Sequence, residues 1–383
     1  MKKLAVITSH PIQYNAPLFR LISQRGNIKL KVFYTWGQTQ LGAVYDPDFK
    51  KEFTWDIPLL NEYEWEFIHN YSTNPGAGHF SGIVNKDLEE RVMLFQPDAV
   101  MIYGWSFKSH LKAIRYFKGK IPVIFRGDST LLDEPAGFHI KKLIRRFFLK
   151  WVYRHIDYAL YTGKANRDYF LKHGVTDKQL VFGPHAINTE HFKDNDGKFQ
   201  QMAQRMRAQQ GIPDDAFVFL FAGKLEPKKN PMLLIRAFKK IRSNHAFLLI
   251  VGNGKLESEL KEVAKDDKRI LFLDFQNQSM MPVIYRMADV FVLPSAGPGE
   301  TWGLAVNEAM ACGLRCIVSN KCGCAPDLGS LQGNRVFESG NEGQLLEIMS
   351  DFISKESEHS IETVYNKYSV GKLAASVESI VCN

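Results

Sequence analysis

FVFLFAGKLEPKKNP, Phe217–Pro231, begins with six consecutive apolar residues, ends that run on Gly223, and then turns basic and proline-containing. An unbroken apolar run of this length, lacking polar alternation, reads as a strand buried on both faces, as in a parallel sheet covered by helices. The same signal follows in FLLIVGNG (247–254), ILFLD (270–274), DVFVLPS (289–295) and RCIVS (315–319). It also precedes, in LAVIT (4–8), LKVFYTW (30–36), AVMIYGW (99–105), PVIFRG (122–127), YALYTG (158–163) and LVFG (180–183). Between the two series, residues 188–211 are polar and helix-prone, with no strand signal. The rhythm therefore stops and restarts, which predicts an α/β protein of two Rossmann-like domains. Their parallel sheets are expected to face each other across a cleft, with ligands at the carboxyl ends of the strands. The expected boundaries are 1–195 for the first domain, 196–365 for the second and 366–383 for a C-terminal helix that packs back on the first.

The 383 residues, 45% of them hydrophobic, leave room for two separate cores. No window reaches the roughly 18 apolar residues of a membrane span, and the opening MKKLAVITSHPIQY turns polar too early for a cleavable leader. A cytoplasmic chain is the expectation. Four of the five cysteines crowd between Cys312 and Cys324, unlike the spaced framework of a disulfide-held domain, and their spacing fits no common zinc knuckle. Reduced packing thiols and no metal are expected. The formal charge is +8, and between Met101 and Arg154 twelve Lys or Arg stand against three acids. That concentration points to an anionic partner, a phosphorylated ligand or a membrane surface, ahead of nucleic acid.

The chemistry-bearing stretch is PGETWGLAVNEAMACG, Pro298–Gly313. A helix starting near Gly303 leaves the amides of about residues 301 to 304 unpaired, a ready site for a phosphate. Glu300 precedes that helix end and Glu308 lies inside the helix. With a phosphate site between them the two carboxylates suit a sugar nucleotide, one on the hexose and one on the ribose; a glycosidase would have them flank a single bond. The bland reading is a loop charge and a solvated helix residue. In GKLEPKKNP, Lys224 and Lys229 at the end of a strand can neutralise a diphosphate leaving group, or simply form a basic surface turn.

The blocks AGKLEPKKNPMLLIRAF, VGNGKLESEL, YRMADVFVLPS and GETWGLAVNEAMACG, together with GPHAINTEHF before the junction, resemble the retaining glycosyltransferases of family 4, also called group 1. That resemblance implies the GT-B fold, with a nucleoside-diphosphate sugar as donor and no metal or other cofactor. It implies Lys224 and Lys229 on the donor diphosphate, Glu300 on the donor hexose and Glu308 on the ribose. Thr301, Trp302, Gly303 and Leu304 match the phosphate cradle, and Gly223 and Gly252, ending two strands, go with the donor site. Departures are Trp302 for the usual Phe, Lys224 for Arg, and SHPIQYNAP in place of an N-terminal Gly-Gly loop, which bears on the acceptor. Asp128 stands where a histidine is usual. It either contacts the hexose or takes the acceptor proton, or it pairs with Arg126.

His10, in SHPIQY after the first strand, is a candidate phosphate or acceptor contact, or else a cap of the next helix. VGNG lacks the third glycine of a dinucleotide fingerprint, so NAD is not expected. YDPD (45–48) and DND (194–196) spell D-x-D but read as turns. In FHIKKLIRRFFLKWVYRH, Phe138–His155, Ile140, Leu143, Ile144, Phe147, Phe148, Trp151 and Val152 share a face ringed by Lys and Arg. Such a helix either faces the core or lies on an anionic membrane.

The sequence-based expectation is a metal-independent, retaining hexosyltransferase acting on a glycan or lipid-linked hydroxyl acceptor in surface polysaccharide or glycolipid synthesis. It would be cytoplasmic, peripheral on the inner face of the membrane if the 138–155 helix docks there, and it would not bind nucleic acid. The alternatives are a sugar-nucleotide epimerase or phosphorylase of the same fold, and a non-catalytic partner subunit.

Overall fold

The computed structural model describes residues 1–37, 44–46, 51–134, 137, 139–354 and 366–382, with residues 44–46 and 51–53 as backbone. Two compact units form: Met1–Gly42, Pro58–Ala186 and Ser369–Asn383 make the first, and Ala43–Ile57 with Ile187–Tyr368 the second.

The first unit is built on a seven-stranded sheet of order β5-β2-β1-β6-β7-β8-β9, parallel throughout. Its strands are β1 (Lys2–Thr8), β2 (Ile28–Tyr34), β5 (Glu64–Phe67), β6 (Ala99–Tyr103), β7 (Val123–Arg126), β8 (Tyr158–Tyr161) and β9 (Leu180–Phe182). Helices α1 (Ala16–Arg25), α2 (Leu88–Leu94), α3 (Lys108–Phe117), α4 (Ile140–Tyr153) and α5 (Lys164–Lys172) connect them. Six strands coincide with the apolar runs, β1, β2, β6, β7 and β8 being mostly buried and β9 half-buried. Strand β5 was not expected. Its sequence EWEF has no apolar run, and it holds the sheet edge through Lys31, whose ammonium lies 3.4 Å from Glu64 and 2.9 Å from Glu66.

A six-stranded parallel sheet of order β12-β11-β10-β13-β14-β15 forms the second unit. These strands are β10 (Phe217–Ala222), β11 (Ala246–Val251), β12 (Ile270–Leu273), β13 (Val290–Leu293), β14 (Arg315–Ser319) and β15 (Arg335–Phe337). The helices are α6 (Thr189–Phe192), α7 (Lys198–Gln209), α8 (Pro231–Lys239), α9 (Glu257–Ala264), α10 (Met281–Arg286), α11 (Leu304–Ala311) and α12 (Glu342–Ser354). A core of Phe219, Phe221, Leu234, Phe238, Leu248, Ile250, Val292 and Ile317 lies under α8 and its neighbours. The chain winds outward from β10 to β11 and β12, then returns to place β13 on the other side of β10. The order thus reverses between β10 and β13, and loops leaving these two strands flank the switch point where ligands of open α/β sheets settle.

The polar stretch after residue 188 belongs wholly to the second unit, so the division falls at Ala186 and Ile187, ahead of the expected 195. Arg286 of α10 fixes it there by donating to the Phe192 carbonyl at 2.7 Å and facing Asp194 at 3.7 Å. The hairpin β3 (Val44–Asp46) and β4 (Lys51–Phe53) also falls in the second unit. Just beyond it the Thr54 carbonyl accepts from Asn277, and Asp56 accepts from the backbone and hydroxyl of Ser279. The second half of YDPD lies outside the described residues. DND is a turn, in which Asp194 caps α7 by accepting from the amides of Phe199 and Gln200 at 3.0 and 2.8 Å.

The last helix, α13 (Val370–Val381), is shorter than the periodicity of residues 361–381 predicts, and residues 361–365 lie outside the described ones. Ser369 caps it, accepting from the Lys372 amide at 3.2 Å. Leu373, Ala374, Val377 and Val381 join the core of the first unit with Leu18, Phe19 and Ile22 of α1. Arg25 binds Glu378 at 2.7 Å, and the Ser376 hydroxyl reaches the Phe182 carbonyl at 2.7 Å.

Candidate active site

The loops after β10 and β13 meet, as the strand order requires. The Ala296 amide donates to the Lys228 carbonyl at 2.8 Å, and the Lys229 ammonium sits 2.5 Å from Glu300 Oε2. Ser295, fully buried at the end of β13, donates to that same carboxylate oxygen at 3.0 Å. Glu300 is 8% exposed, so its charge is held by a lysine and a hydroxyl where bulk water contributes little. Lys228 turns away to Glu226, 3.3 Å distant. Lys224, partly buried, begins the same loop.

Helix α11 starts where the sequence places it. Gly303 is its N-cap, at φ 98°, and a Cβ there would meet Leu293 Cδ2 at 2.8 Å, so both conformation and space demand glycine. The amide of Val306 turns back to the Gly303 carbonyl at 2.9 Å. The amides of Gly303 and Leu304 donate to no backbone carbonyl among the described residues. Trp302 is buried, donating from its indole to Asn307 Oδ1 at 2.7 Å and stacking 5.7 Å from Tyr368. The loop is backed by a second one, in which Gly323 and Cys324 donate to the carbonyls of Glu300 and Trp302, each at 3.0 Å. Thr301 is thereby fixed between two anchored neighbours.

Glu308 is 3% exposed and accepts from the Tyr285 hydroxyl of α10 at 2.8 Å. It is not a solvated helix residue. Gly223 and Gly252 end the paired strands β10 and β11. A Cβ on Gly252 would lie 2.1 Å from the Gly223 carbonyl oxygen, so the two strand ends touch backbone to backbone. Cys322 packs behind Glu300; burial first, then that carboxylate, pushes its thiol up to about 12. Cys316, Cys322 and Cys324 are buried, free and protonated at neutral pH.

The other two candidates lie in the first unit. Asp128 follows β7, half exposed, and its carboxylate is 3.5 Å from His185 Nε2. Arg126 spends its guanidinium on the carbonyls of Gly183 and Pro184, at 2.7 and 2.9 Å. Burial pulls the His185 pKa down, and the Asp128 hydrogen bond opposes it. His10, two residues beyond β1, has Nδ1 2.9 Å from Ser9 Oγ and its ring edge-on to Trp36 at 5.6 Å; burial lowers its pKa.

Sequence reasoning missed Ser295, Tyr285 and His185. The first two lie inside the motif YRMADVFVLPS, but their partners are fixed only by folding. His185 lies in GPHAINTEHF and reaches Asp128 across 57 positions of chain.

Two parallel α/β sheets, each followed by helices, with charged loops at a switch point, define the GT-B class. The crystal structure of Anabaena HepE in complex with UDP and glucose superimposes with a TM-score of 0.69 over 100% of both chains at 14% identity, which establishes the fold. Residues 202–369 match the family of glycosyl transferases group 1. Similar curated proteins include the UDP-Gal:alpha-D-GlcNAc-diphosphoundecaprenol alpha-1,3-galactosyltransferase of Escherichia coli, 41% identical over 29% of this chain and 30% of that one. Another is the lipopolysaccharide 1,2-N-acetylglucosaminetransferase of Salmonella typhimurium, 26% identical over 52% of this chain. The chain spans 30% of the length of the first and 55% of the second.

Proposed function

We propose that this protein transfers a hexose-type sugar from a uridine diphosphate sugar to a hydroxyl acceptor, with retention of configuration and without a metal. The observation that carries the reading is the meeting of Lys229, Glu300 and the helix-end amides of Gly303 and Leu304 at the β10/β13 switch point. A diphosphate entering there finds an ammonium, a helix end and, from the same loop as Lys229, Lys224. That charge set can neutralise the leaving group without a cation bridging it.

In the proposed reaction the acceptor oxygen attacks the anomeric carbon on the face the diphosphate leaves. The bond from that carbon to the β-phosphate oxygen breaks, its electron pair stays on the diphosphate, and the acceptor proton passes to the departing oxygen. Lys229 moves from Glu300 to phosphate, which frees the carboxylate for the hexose hydroxyls. Glu308, oriented by Tyr285, takes the ribose hydroxyls. Uridine is favoured by the UDP bound in HepE and by the UDP-Gal donor in the galactosyltransferase's name. A lipid-diphosphate-linked glycan is favoured as acceptor by the same relative, in surface polysaccharide or glycolipid synthesis.

A thermal-shift screen of nucleotide sugars, followed by donor hydrolysis assays, tests this. UDP-sugars should raise the melting temperature, and Glu308→Ala should weaken donor binding about 10- to 100-fold, the range for a lost hydrogen bond to a charged group. No response to any nucleotide sugar would end the proposal, and undiminished binding by Glu308→Ala would end the ribose assignment.

A further inference from the structure

The apolar side of α4 is turned to solvent. Ile140, Ile144 and Phe147 are 61%, 62% and 66% exposed, and Leu143 and Phe148 beside them are also exposed. Positions 140, 143, 144 and 147 lie one above another on a helix, so they form a continuous stripe. The opposite side is seated in the protein by Leu149, Val152 and Tyr153. Isolated exposed apolar residues are ordinary; five on one side of one helix mark an interaction surface.

Cations rim the stripe. Lys142 and Arg146 are held by Glu134 at 2.9 and 3.4 Å. Lys141, Arg145 and Lys150 are exposed, with no carboxylate partner among the described residues. From α3, exposed Arg115 lies 5.3 Å over the Trp151 ring and extends the positive rim. Pairing two copies through α4 would set these same cations against each other, which disfavours a dimer. An anionic bilayer satisfies both features at once, its acyl boundary taking the stripe and its headgroup phosphates the rim.

We propose that α4 docks this protein on an anionic membrane leaflet, inserting Ile140, Ile144 and Phe147 at the acyl boundary while Lys141, Arg145 and Lys150 contact lipid phosphates. The surface is independent of the sugar-transfer site and stands or falls without it.

Cosedimentation of the full chain with phosphatidylglycerol–phosphatidylcholine vesicles tests the proposal against pure phosphatidylcholine. Binding is expected to the anionic vesicles and to be at least about tenfold weaker to the neutral ones. Ile144→Ser with Phe147→Ser should cut partitioning at least about 100-fold. Lys141→Gln with Arg145→Gln should cut it roughly 20-fold. Because all four side chains are exposed, melting temperatures should not change; if the serine pair does unfold the chain, the glutamine pair alone decides. No binding to anionic vesicles, equal binding to neutral ones, or binding unaffected by the glutamine pair would each overturn the proposal. A concentration-dependent dimer abolished by Phe147→Ser, without vesicle binding, would assign the stripe to a second copy instead.

Discussion

Lys229 and Glu300 form an ion pair at 2.5 Å, each the other's nearest opposite charge among the described residues of the two loops. In the proposed reaction the two then separate in role. Lys229→Ala is expected to lower kcat by about 100- to 1000-fold, as for loss of a donor to a developing anion, and to weaken donor binding too. Glu300→Gln keeps the shape and releases Lys229, so turnover should fall while donor affinity holds or rises. Titrating donor by calorimetry alongside turnover separates these outcomes; equal loss of both in Glu300→Gln would contradict the assigned roles. Gly303 carries a structural load of its own. Gly303→Ala combines an unfavourable φ with a contact at 2.8 Å to Leu293 and should destabilise by about 1–3 kcal/mol, measured by denaturant unfolding. An unchanged midpoint would show that the loop relaxes freely. The charged groups of this site were named from the motifs that carry the family resemblance, because spacing alone left Glu300 and Glu308 open as a loop charge and a helix residue. Ser295 and Tyr285 were not, since a hydroxyl becomes a ligand of Glu300 or Glu308 only through contacts made by folding. Asp128 shows the same limit: its neighbour Arg126 was a natural partner, yet burial drives that guanidinium onto backbone carbonyls and leaves Asp128 to His185.

Among the elements, α4 corrects the simplest inference from periodicity. The apolar spacing identified the helix and its face, but spacing cannot say which way a face turns. Ile140, Leu143, Ile144, Phe147 and Phe148 point to solvent, and the seat of the helix is the narrower set Leu149, Val152 and Tyr153. Most of the strands, in contrast, were legible because a run buried on both sides has no direction to decide. Helix α3 supplies a pH-dependent prediction through His110, fully buried between the Tyr103 carbonyl at Nδ1, 2.8 Å, and the Thr35 hydroxyl at Nε2, 2.9 Å. Burial lowers its pKa from 6.5 to about 4. The unfolded chain therefore binds this proton more readily, so the stabilisation is complete above about pH 6.5 and is lost as pH falls toward 4. The loss should reach on the order of 3 kcal/mol. His110→Asn should lower the melting temperature at neutral pH and flatten its decline in that acid range; a slope identical to wild type would show that other groups govern it.

At the scale of the whole molecule, the concentration of positive charge between Met101 and Arg154 is now divided among particular tasks. Arg126 holds the β9 end, Lys118 pairs with Asp157, and Lys112 pairs with Glu89 at 2.8 Å. The remaining exposed cations include the rim of α4. The two-sheet organisation was plain from the restart of strand signals at Phe217, whereas the division of the chain was not, because the polar stretch that separates the two strand series packs as helices of the second unit.

The chain crosses between its units four times, since 43–57 and 369–383 each pack away from the half that sequence order would give them. Severing the polypeptide at Ile187 would therefore not release two self-sufficient pieces. The leading fragment would lack the apolar lid of Leu373, Ala374 and Val377, and the trailing one would lose Thr54 and Asp56 as clasps on Asn277 and Ser279. Each would be soluble only with its counterpart present, so a nicked chain should stay assembled where separately produced halves precipitate.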